Sequence, residues 1–311
     1  MEYWAGISIS YELSDHYSIG LSHFGIYRDV KYSNNYGITV LPQDFSGSQV
    51  YEYSNVQSFN YFNVKGVFKP SIAANFESFK FGLTLTTPSF NMMGRGNAFR
   101  EISYINFHEI SDAVDIDVKI VDRVDGFKVA HKEFGSLAMG VSWQVGTKAW
   151  FHFSNETFFG GKRYYIFDVD EKPSIYPDAF SEDDLENEIL GGQNFLSLTE
   201  KTHARTNIGI GFETVLTDRW QLYLGSRTDF LYNEIPATET NAMRVESSRW
   251  NLMHFSLGIV HVTKSNKKYT VGVEYGTAPL NLVGATENGI KTTSNSFKLL
   301  LEIVVGQKKK I

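Results

Sequence analysis

Strict alternation of apolar and polar residues constrains this chain most, and it is clearest over residues 136–158. On either side of a Gly146-Thr147 turn, every second residue is apolar and the residues between are small or polar. The apolar positions are Leu137, Met139, Val141, Trp143, Val145, Ala149, Phe151 and Phe153. Because successive side chains of a strand point to opposite faces, the pattern predicts a β-hairpin with one apolar and one polar face.

A soluble sheet could bury such an apolar face as its core, but nearly every segment of this chain repeats the pattern. The opposite face carries small residues and a few charges. This arrangement favours apolar side chains that face lipid and polar side chains that face a lumen. No apolar run approaches the roughly 18 residues of a membrane helix, which agrees with strands that hide their apolar character by alternation.

The connections between the predicted strands alternate in length along the whole chain. Short turns fall near 14–15, 76–78, 146–147, 217–218 and 264–267, and long loops at 28–57, 88–125, 169–199, 233–246 and 277–292. Short turns on one side and long loops on the other are typical of an outer-membrane barrel, whereas a Greek-key sandwich gives no reason for them. We therefore predict an all-β fold, an up-and-down antiparallel transmembrane β-barrel.

Eleven strands are predicted, and four segments between or within them are interpreted separately. Pro70 is expected to mark a bulge or the end of a strand, residues 91–96 are expected to be a loop, and a strand near 48–57 and a hairpin within 88–125 are left open. The predicted strands are 3–12, 17–27, 58–75, 79–87, 126–146, 148–168, 200–216, 219–232, 247–262, 268–276 and 293–305.

Composition excludes several classes of function. The 311 residues contain no cysteine, so a disulfide framework and thiol chemistry are excluded. The net charge of −6 and the lack of a basic patch argue against a nucleic-acid partner. The first ten residues already alternate as a strand and lack the features of a secretion signal. Since an exported barrel needs a signal, and a closed barrel of this kind an even strand number, we expect an N-terminally shortened chain.

Several segments share soft patterns of glycine, proline and aromatic residues. The early segments are residues 66–70 (GVFKP), 81–90 (FGLTLTTPSF) and 94–96 (GRG). The later segments are residues 135–146 (GSLAMGVSWQVG), 151–158 (FHFSNETF) and 250–258 (WNLMHFSLG). They contain no catalytic signature, and together they resemble the FadL-like outer-membrane transporters of long-chain fatty acids and other hydrophobic compounds.

The resemblance implies a fourteen-stranded barrel in the cell outer membrane, an N-terminal hatch that plugs the lumen, and passive diffusion of apolar solutes. Residues 1–311 are then a single barrel domain that lacks the signal peptide, the hatch and the first strands. Its partners are expected to be outer-membrane lipid and a hydrophobic small molecule, with protein partners through the outer loops as a further option. No cofactor is expected.

Charged and histidine residues on the polar faces are the candidate site. The residues expected to face the lumen and contact a ligand or plug are Glu156, Arg227, Asp229, Glu274, Lys298, His152 and His254, with Arg227 and Lys298 as cations for a carboxylate headgroup. The alternative without a ligand is a hydrated barrel interior in which these charged side chains pair with one another. No metal motif and no nucleophile motif are found, although a triad assembled from distant positions stays open.

A channel for passive uptake of hydrophobic small molecules, such as long-chain fatty acids, is the leading hypothesis. The alternative is a related structural or secretion-shuttle barrel whose long outer loops bind protein partners. An outer-membrane enzyme ranks third, and we expect none. A contiguous apolar pocket between the upper strands and loops favours transport, and a filled lumen with ordered, projecting loops favours the partner role.

Overall fold

The computed structural model describes residues 1–41, 50–106, 118–169, 174–176, 196–230, 233–234, 251–263, 267–278 and 295–304. The described residues form seventeen strands and no helix. None of them belongs to a helix long and apolar enough to cross a membrane. The strands are β1 (Glu2–Glu12), β2 (Tyr17–Val40), β3 (Tyr51–Asn75), β4 (Phe79–Thr86), β5 (Phe90–Ile105), β6 (Val118–Lys128), β7 (Ser136–Val145), β8 (Ala149–Phe158), β9 (Gly161–Phe167), β10 (Ser174–Tyr176), β11 (Leu198–Thr202), β12 (Arg205–Thr217), β13 (Trp220–Asp229), β14 (Asn233–Glu234), β15 (Leu252–Val262), β16 (Lys268–Thr277) and β17 (Asn295–Val304).

Every described ladder is antiparallel, and most join neighbours along the chain, which confirms the predicted all-β, up-and-down architecture. Several strands are halves of one longer run. β4 and β5 both pair with β3, in nearly continuous register. Four other runs are likewise divided into two consecutive strands: β6 and β7, β8 and β9, β11 and β12, and β13 and β14. With the halves joined and the three-residue β10 left aside, the described residues form eleven runs, the number that the sequence predicts.

Four of the long runs are interrupted at one level of the sheet, whereas β2 and β3 pass through it without a break. The breaks fall at residues 87–89, 129–135, 159–160 and 203–204. Single backbone hydrogen bonds continue the pairing across this level, from Ser89 N to Glu133 O at 2.9 Å and from Ala130 N to Ile166 O at 2.8 Å. The breaks divide the molecule into a lower half, towards the short turns, and a projecting half.

The lower half has one concave face. One cavity on this face, of about 400 Å³, is lined by residues of β7, β8, β12, β13, β15 and β16, so the sheet curves around it. The concave face is small or polar, as at Ser154 and Gly209. The opposite, convex face exposes large apolar side chains, such as Leu257 and Leu299, which are 45% and 59% exposed. This is the arrangement that the alternation predicts.

The polarity of the two faces inverts in the projecting half, as β3 shows. Ser71 and Lys69 lie on the concave face, and further along the same face Tyr61 and Phe59 are buried. On the convex face, apolar residues such as Ile72 give way to Asn60. The β2–β3 ladder pairs without a register shift, so the same two faces continue past the breaks and only their chemistry changes.

A hydrophobic core fills the concave side of the projecting half. Phe167 of β9 packs against residues of two other strands. Its ring centroid lies 5.7 Å from that of Phe59 on β3 and 4.6 Å from that of Phe127 on β6. The core residues are Phe59, Tyr61, Ala98, Ile102, Ile120, Val129, Ile166, Phe167, Val169, Leu196 and Leu198. The arm of β2, β3, β5 and β6 therefore packs on the arm of β9 and β11.

Three sequence predictions need correction. Residues 28–40 and 51–57 are not a loop but the projecting ends of β2 and β3, and residues 42–49 lie outside the described residues. Residues 91–96 are also strand, within β5. Pro70 neither ends nor bulges β3. The backbone of Phe68, two residues earlier, faces Thr87 of the break, so the backbone of Pro70 faces the same side of β3. The β3–β4 ladder has ended on that side, so no ladder hydrogen bond needs the missing N–H of Pro70.

The hairpin left open within 88–125 is present as β5 and β6. Close backbone approach explains the two glycines in β5, since a Cβ on Gly94 would lie 2.4 Å from Val129 O. Most of the predicted acidic loop 169–199 and of the loops at 233–246 and 277–292 lies outside the described residues. Where they are described, the first two predicted loops contain strand, namely β10, the start of β11 and β14.

Candidate functional site

Cross-strand register places the candidate polar residues in rows on the concave face. One row runs Ser154, Gly209, Arg227, His254 and Gly276 through directly paired positions on β8, β12, β13, β15 and β16. The next row contains Ser142, His152, Gly211, Gly225, Ser256, Glu274 and Lys298. Glycine and serine keep the floor low, so the few long side chains project into open space.

Two cavities lie over these rows, of about 400 Å³ and 530 Å³. They share Gly140, Ser154, Gly209 and Arg227, so we treat them as one polar trough. Its size is in the range of small-molecule pockets, and glycine, serine and a few charged side chains are among its lining residues. The transport hypothesis predicts an apolar pocket between the upper strands and loops. Among the described residues, the hydrophobic core fills the space between the upper strands.

Glu274 is the centre of charge in the trough. Lys298 Nζ donates to its Oε1 at 3.0 Å, and an amino group of Arg227 approaches the same oxygen at 3.4 Å. Both cations keep about half of their side-chain surface exposed. Each therefore retains N–H groups that can bind water or a solute.

His254 lies beside Glu274, buried to 4% exposure. Its Nδ1 is 3.4 Å from Glu274 Oε1 and its Nε2 is 4.0 Å from Asp229 Oδ2, and neither nitrogen makes a hydrogen bond with good geometry to the described residues. The ring lines the trough. Because buried polar atoms are normally hydrogen-bonded, these nitrogens are suited to water or to a polar group of a solute.

His152, across the trough, belongs to a row of hydrogen bonds. Ser142 Oγ lies 2.8 Å from His152 Nδ1, and Glu213 Oε2 lies 3.5 Å from Nε2. The order serine, histidine, carboxylate is that of a catalytic triad. Acyl transfer also needs N–H donors for an oxyanion, and here the strand N–H groups are used by the ladders on both sides. The geometry supports a structural network.

All seven predicted site residues lie on the concave face. Arg227, Asp229, His254, Glu274 and Lys298 meet on four adjacent strands, while His152 and Glu156 lie on β8 across the trough. Glu156 accepts a hydrogen bond from Ser136 Oγ at 2.7 Å and lines the larger cavity. Their contact with a ligand or plug stays a prediction.

A second charged group, which sequence reasoning missed, lies at the level of the breaks. We call it the His131 cluster; its members are Lys65, His131, Glu133, Tyr164 and Glu200. Lys65 has no exposed surface and His131 is 3% exposed. Lys65 Nζ donates to Glu133 Oε1 at 2.5 Å and lies 3.0 Å from His131 Nδ1. On the other side of the ring, Nε2 lies 3.2 Å from Glu200 Oε2, which also accepts the Tyr164 hydroxyl at 2.6 Å.

These contacts fix the state of the His131 ring. A lysine ammonium only donates hydrogen bonds, so His131 Nδ1 must be the acceptor and the ring proton must be on Nε2. The Nε2–H group then donates to the carboxylate of Glu200. His131 is therefore neutral, and it connects a cation on β3 to an anion on β11.

The pKa values agree with this arrangement. Burial lowers the pKa of His131, and the positive charges of Arg28 and Lys65 lower it further, against the opposing effect of Glu200. Burial alone would raise the pKa of Glu200, but hydrogen bonds from His131 and Tyr164 and the charge of Arg28 bring it down to about 2. Burial and the neighbouring Glu200 raise the pKa of Tyr164.

The sequence carries only a faint signal for this cluster. Lys65 is a charge within the apolar run Val64 to Val67, and His131 and Glu133 sit where the alternation of the predicted strand 126–146 fails. Glu200 lies at the end of another predicted strand. Nothing in the spacing relates the three segments, because their contacts depend on the packing of the two arms.

Solved structures provide the comparison for this architecture. The chain is similar to a FadL homologue from Pseudomonas aeruginosa, with a TM-score of 0.51 and 11% identity over 97% of this chain and 66% of that one. It is also similar to the CymD monoaromatic hydrocarbon channel, with a TM-score of 0.50 and 10% identity over 95% of this chain and 70% of that one. No family model and no curated protein matches the sequence. Identities this low establish the fold alone.

Proposed function

Because the chain has a FadL-like fold, we propose that it forms the wall of an outer-membrane channel for passive uptake of hydrophobic small molecules. Long-chain fatty acids are the finer candidate for the solute. The cell outer membrane is the proposed location, and lipid is the partner of the convex face. No catalytic step and no cofactor belong to the proposal.

The observation that carries this proposal is the inversion of polarity along the strands. Below the breaks, apolar residues cover the convex face, and on strands such as β7 they extend over ten residues, close to the roughly 9–11 that a tilted strand needs to span a bilayer. On β7, β8 and β12 the apolar convex face ends at Leu137, Phe153 and Ile208. Beyond that level the same face is polar, as expected where a strand leaves lipid for water.

Charge placement supports the same orientation. Arg227, Glu274 and Lys298 all lie on the concave face, where water and opposite charges are available. On the lipid face each basic residue would cost about 2–4 kcal/mol at the midplane, and acidic residues somewhat less. The sheet therefore has a consistent lipid side and a consistent lumen side.

An apolar solute also finds contacts on the concave face. Trp4 and Phe24 form an edge-to-face pair with ring centroids 5.8 Å apart, and Trp4 is 46% exposed. Lys69 Nζ lies 5.0 Å from the centroid of the Trp4 ring. This aromatic pair gives the otherwise polar lumen an apolar surface on which a solute can rest.

Uptake into liposomes tests the proposal. The protein, folded into vesicles, should admit a fluorescent fatty acid or a small hydrocarbon without ATP or a proton gradient, faster than protein-free vesicles do. Gly140→Trp should reduce uptake at least several-fold, because a Cβ at Gly140 meets nothing within 4 Å and the indole can fill the trough without displacing the wall. Leu257→Trp, on the convex face, is the matched control. Uptake equal to that of empty vesicles would refute the channel.

A second candidate is a secretion-shuttle or structural barrel that binds protein partners through its projecting half. The filled core between the two arms favours it, because it holds the projecting strands in a fixed arrangement that could present a surface. Photocrosslinking from position 60, on the polar face of the projecting arm, tests this role in cells. Specific adducts together with uptake that Gly140→Trp does not change would favour the partner role over transport.

A further inference from the structure

The break at residues 129–135 is held to both arms of the projecting half by the His131 cluster. Lys65 comes from the arm of β2, β3, β5 and β6, whereas Glu200 and Tyr164 come from the arm of β9 and β11. His131 lies between them and contacts one arm through each ring nitrogen. It is therefore a buried polar link between two arms that are otherwise joined by apolar packing and by backbone hydrogen bonds, as in the short β10–β6 ladder.

We infer that His131 is an acid-sensitive latch: protonation of its ring breaks the contact with Lys65 and loosens the two arms from each other. The inference concerns the conformation of the projecting half. It goes beyond the proposed transport function and does not rest on it.

The geometry around Nδ1 explains why a proton cannot be accommodated. A protonated ring would present an N–H donor to the ammonium of Lys65, 3.0 Å away, so the hydrogen bond would become a contact between two donors with like charges. Lys65 has no exposed surface through which water could screen this repulsion. The contact must open if the ring takes up a proton.

The other charged groups around the ring do not compensate for that repulsion. From β2, Arg28 adds a second positive charge near the ring. Glu133, on the same segment, lies 3.8 Å from Nδ1 but already binds Lys65. Glu200 from β11 already accepts the Nε2–H group and the hydroxyl of Tyr164 from β9. Two cations already face these two carboxylates, so a proton on His131 adds a third positive charge to a buried site.

The direction of the pH effect follows from linkage. The pKa of His131 in the latched state is below its ordinary value of 6.5. The released state therefore takes up the proton more readily, and the latch is at full strength above pH 6.5 and weakens as pH falls below it. One proton changes the ratio of released to latched molecules by up to tenfold per pH unit. Glu200 acts only below its ordinary value of 4.5, so the window between pH 6.5 and 4.5 reports on His131.

Pulsed electron-spin distance measurements can test the latch. The chain has no cysteine, so Asn60→Cys and Lys162→Cys place one spin label on each arm without background labelling. Both side chains are exposed, and neither belongs to the cluster. The distance distribution should be narrow at pH 7.5, gain a broader or longer component between pH 6.5 and 4.5, and narrow again when the pH is returned.

Three variants assign the effect. His131→Gln keeps a neutral donor and acceptor but cannot titrate in this range, so the distribution should stay narrow throughout. Lys65→Met removes the facing ammonium and therefore the repulsion, so the change in the distance distribution between pH 6.5 and 4.5 should become much smaller or disappear. His16→Gln, in an exposed turn, is the matched control and should leave the transition unchanged.

Two results would overturn the inference. The first is a distance distribution that does not change down to pH 4.5. The second is a transition that persists in His131→Gln at its original midpoint. If His131→Gln fails to fold, the midpoint of the transition in the doubly spin-labelled protein that keeps the His131 cluster is sufficient. A midpoint below pH 4.5 would assign the transition to carboxylates and overturn the inference.

Discussion

Gly276 lies directly against the ring of His254 in the wall of the trough. A Cβ at Gly276 would come within 2.9 Å of His254 Nδ1 and 2.6 Å of Ser296 Oγ. The missing side chain on β16 is therefore what allows the imidazole on β15 to lie buried over its neighbour. The two positions are paired across the ladder, so a larger side chain at position 276 would compete with the His254 ring for the same space.

Gly276→Val should destabilise the fold by about 1–3 kcal/mol, the usual cost of overpacking, because the ring must move. In the background of His254→Ala the same substitution should cost clearly less, since the two residues are in contact. Gly140→Ala, where a Cβ meets nothing, should be close to neutral. Denaturant titration in lipid vesicles measures all of them, and equal costs of Gly276→Val in both backgrounds would contradict the packing relationship.

Leu257 and Ser256 are adjacent on β15 but point to opposite faces. If the convex face contacts lipid, Leu257→Lys should cost about 2–4 kcal/mol of folding free energy in a bilayer, and Ser256→Lys much less because it faces the hydrated trough. The comparison uses the same strand, the same new residue and the same assay. A larger cost at Ser256 would reverse the assignment of the two faces.

Glu274→Gln removes the carboxylate that Arg227 and Lys298 share. The net charge of the trough then rises by one unit, so conductance in planar bilayers should become more anion-selective. Rings of basic side chains make other pores anion-selective for the same reason. The reversal potential in a salt gradient measures the change. Glu12→Gln, at an exposed strand end, is the control, and the same shift in both variants would exclude a role for the trough.

Glu200 should make the protein sensitive to strong acid. Its pKa is lowered to about 2 in the fold, so its stabilising effect is present above pH 4.5 and is lost as the pH falls through that range to about 2. The loss should be on the order of 3 kcal/mol. Glu200→Gln should remove most of this pH dependence while reducing stability at neutral pH. A variant with the same slope as the original protein between pH 4.5 and 2 would contradict the assignment.

The strands of the lower half could be predicted from sequence because one rule governs them all. Residues such as Leu222 and Leu224 alternate with Gln221 and Tyr223, and the short turns fix where each strand ends. The projecting half escaped prediction because its rule is reversed: beyond Arg28 on β2 the apolar residues move to the concave face. A pattern that changes sides within one strand looks irregular, so residues 28–57 were predicted to be a loop.

The candidate site shows the same division. The positions of Arg227 and Glu274 on one face follow from local alternation, so the sequence was sufficient to place them in the lumen. The contact of His131 with Lys65 and Glu200 depends on two arms folding over each other. These residues are 66 and 69 positions apart from His131 in the chain, and no local pattern contains that information.

The alignment of the strand breaks at a single level has a consequence for how such a protein can evolve. Apart from the β2–β3 ladder, which runs through that level without a break, the described ladders above and below it are separate and only isolated backbone hydrogen bonds cross between them. Insertions, deletions or exchanged segments above the level can therefore be absorbed without shifting the register of the strands below it. The wall and its projecting part can diverge at different rates, and one wall can be combined with many different outer surfaces.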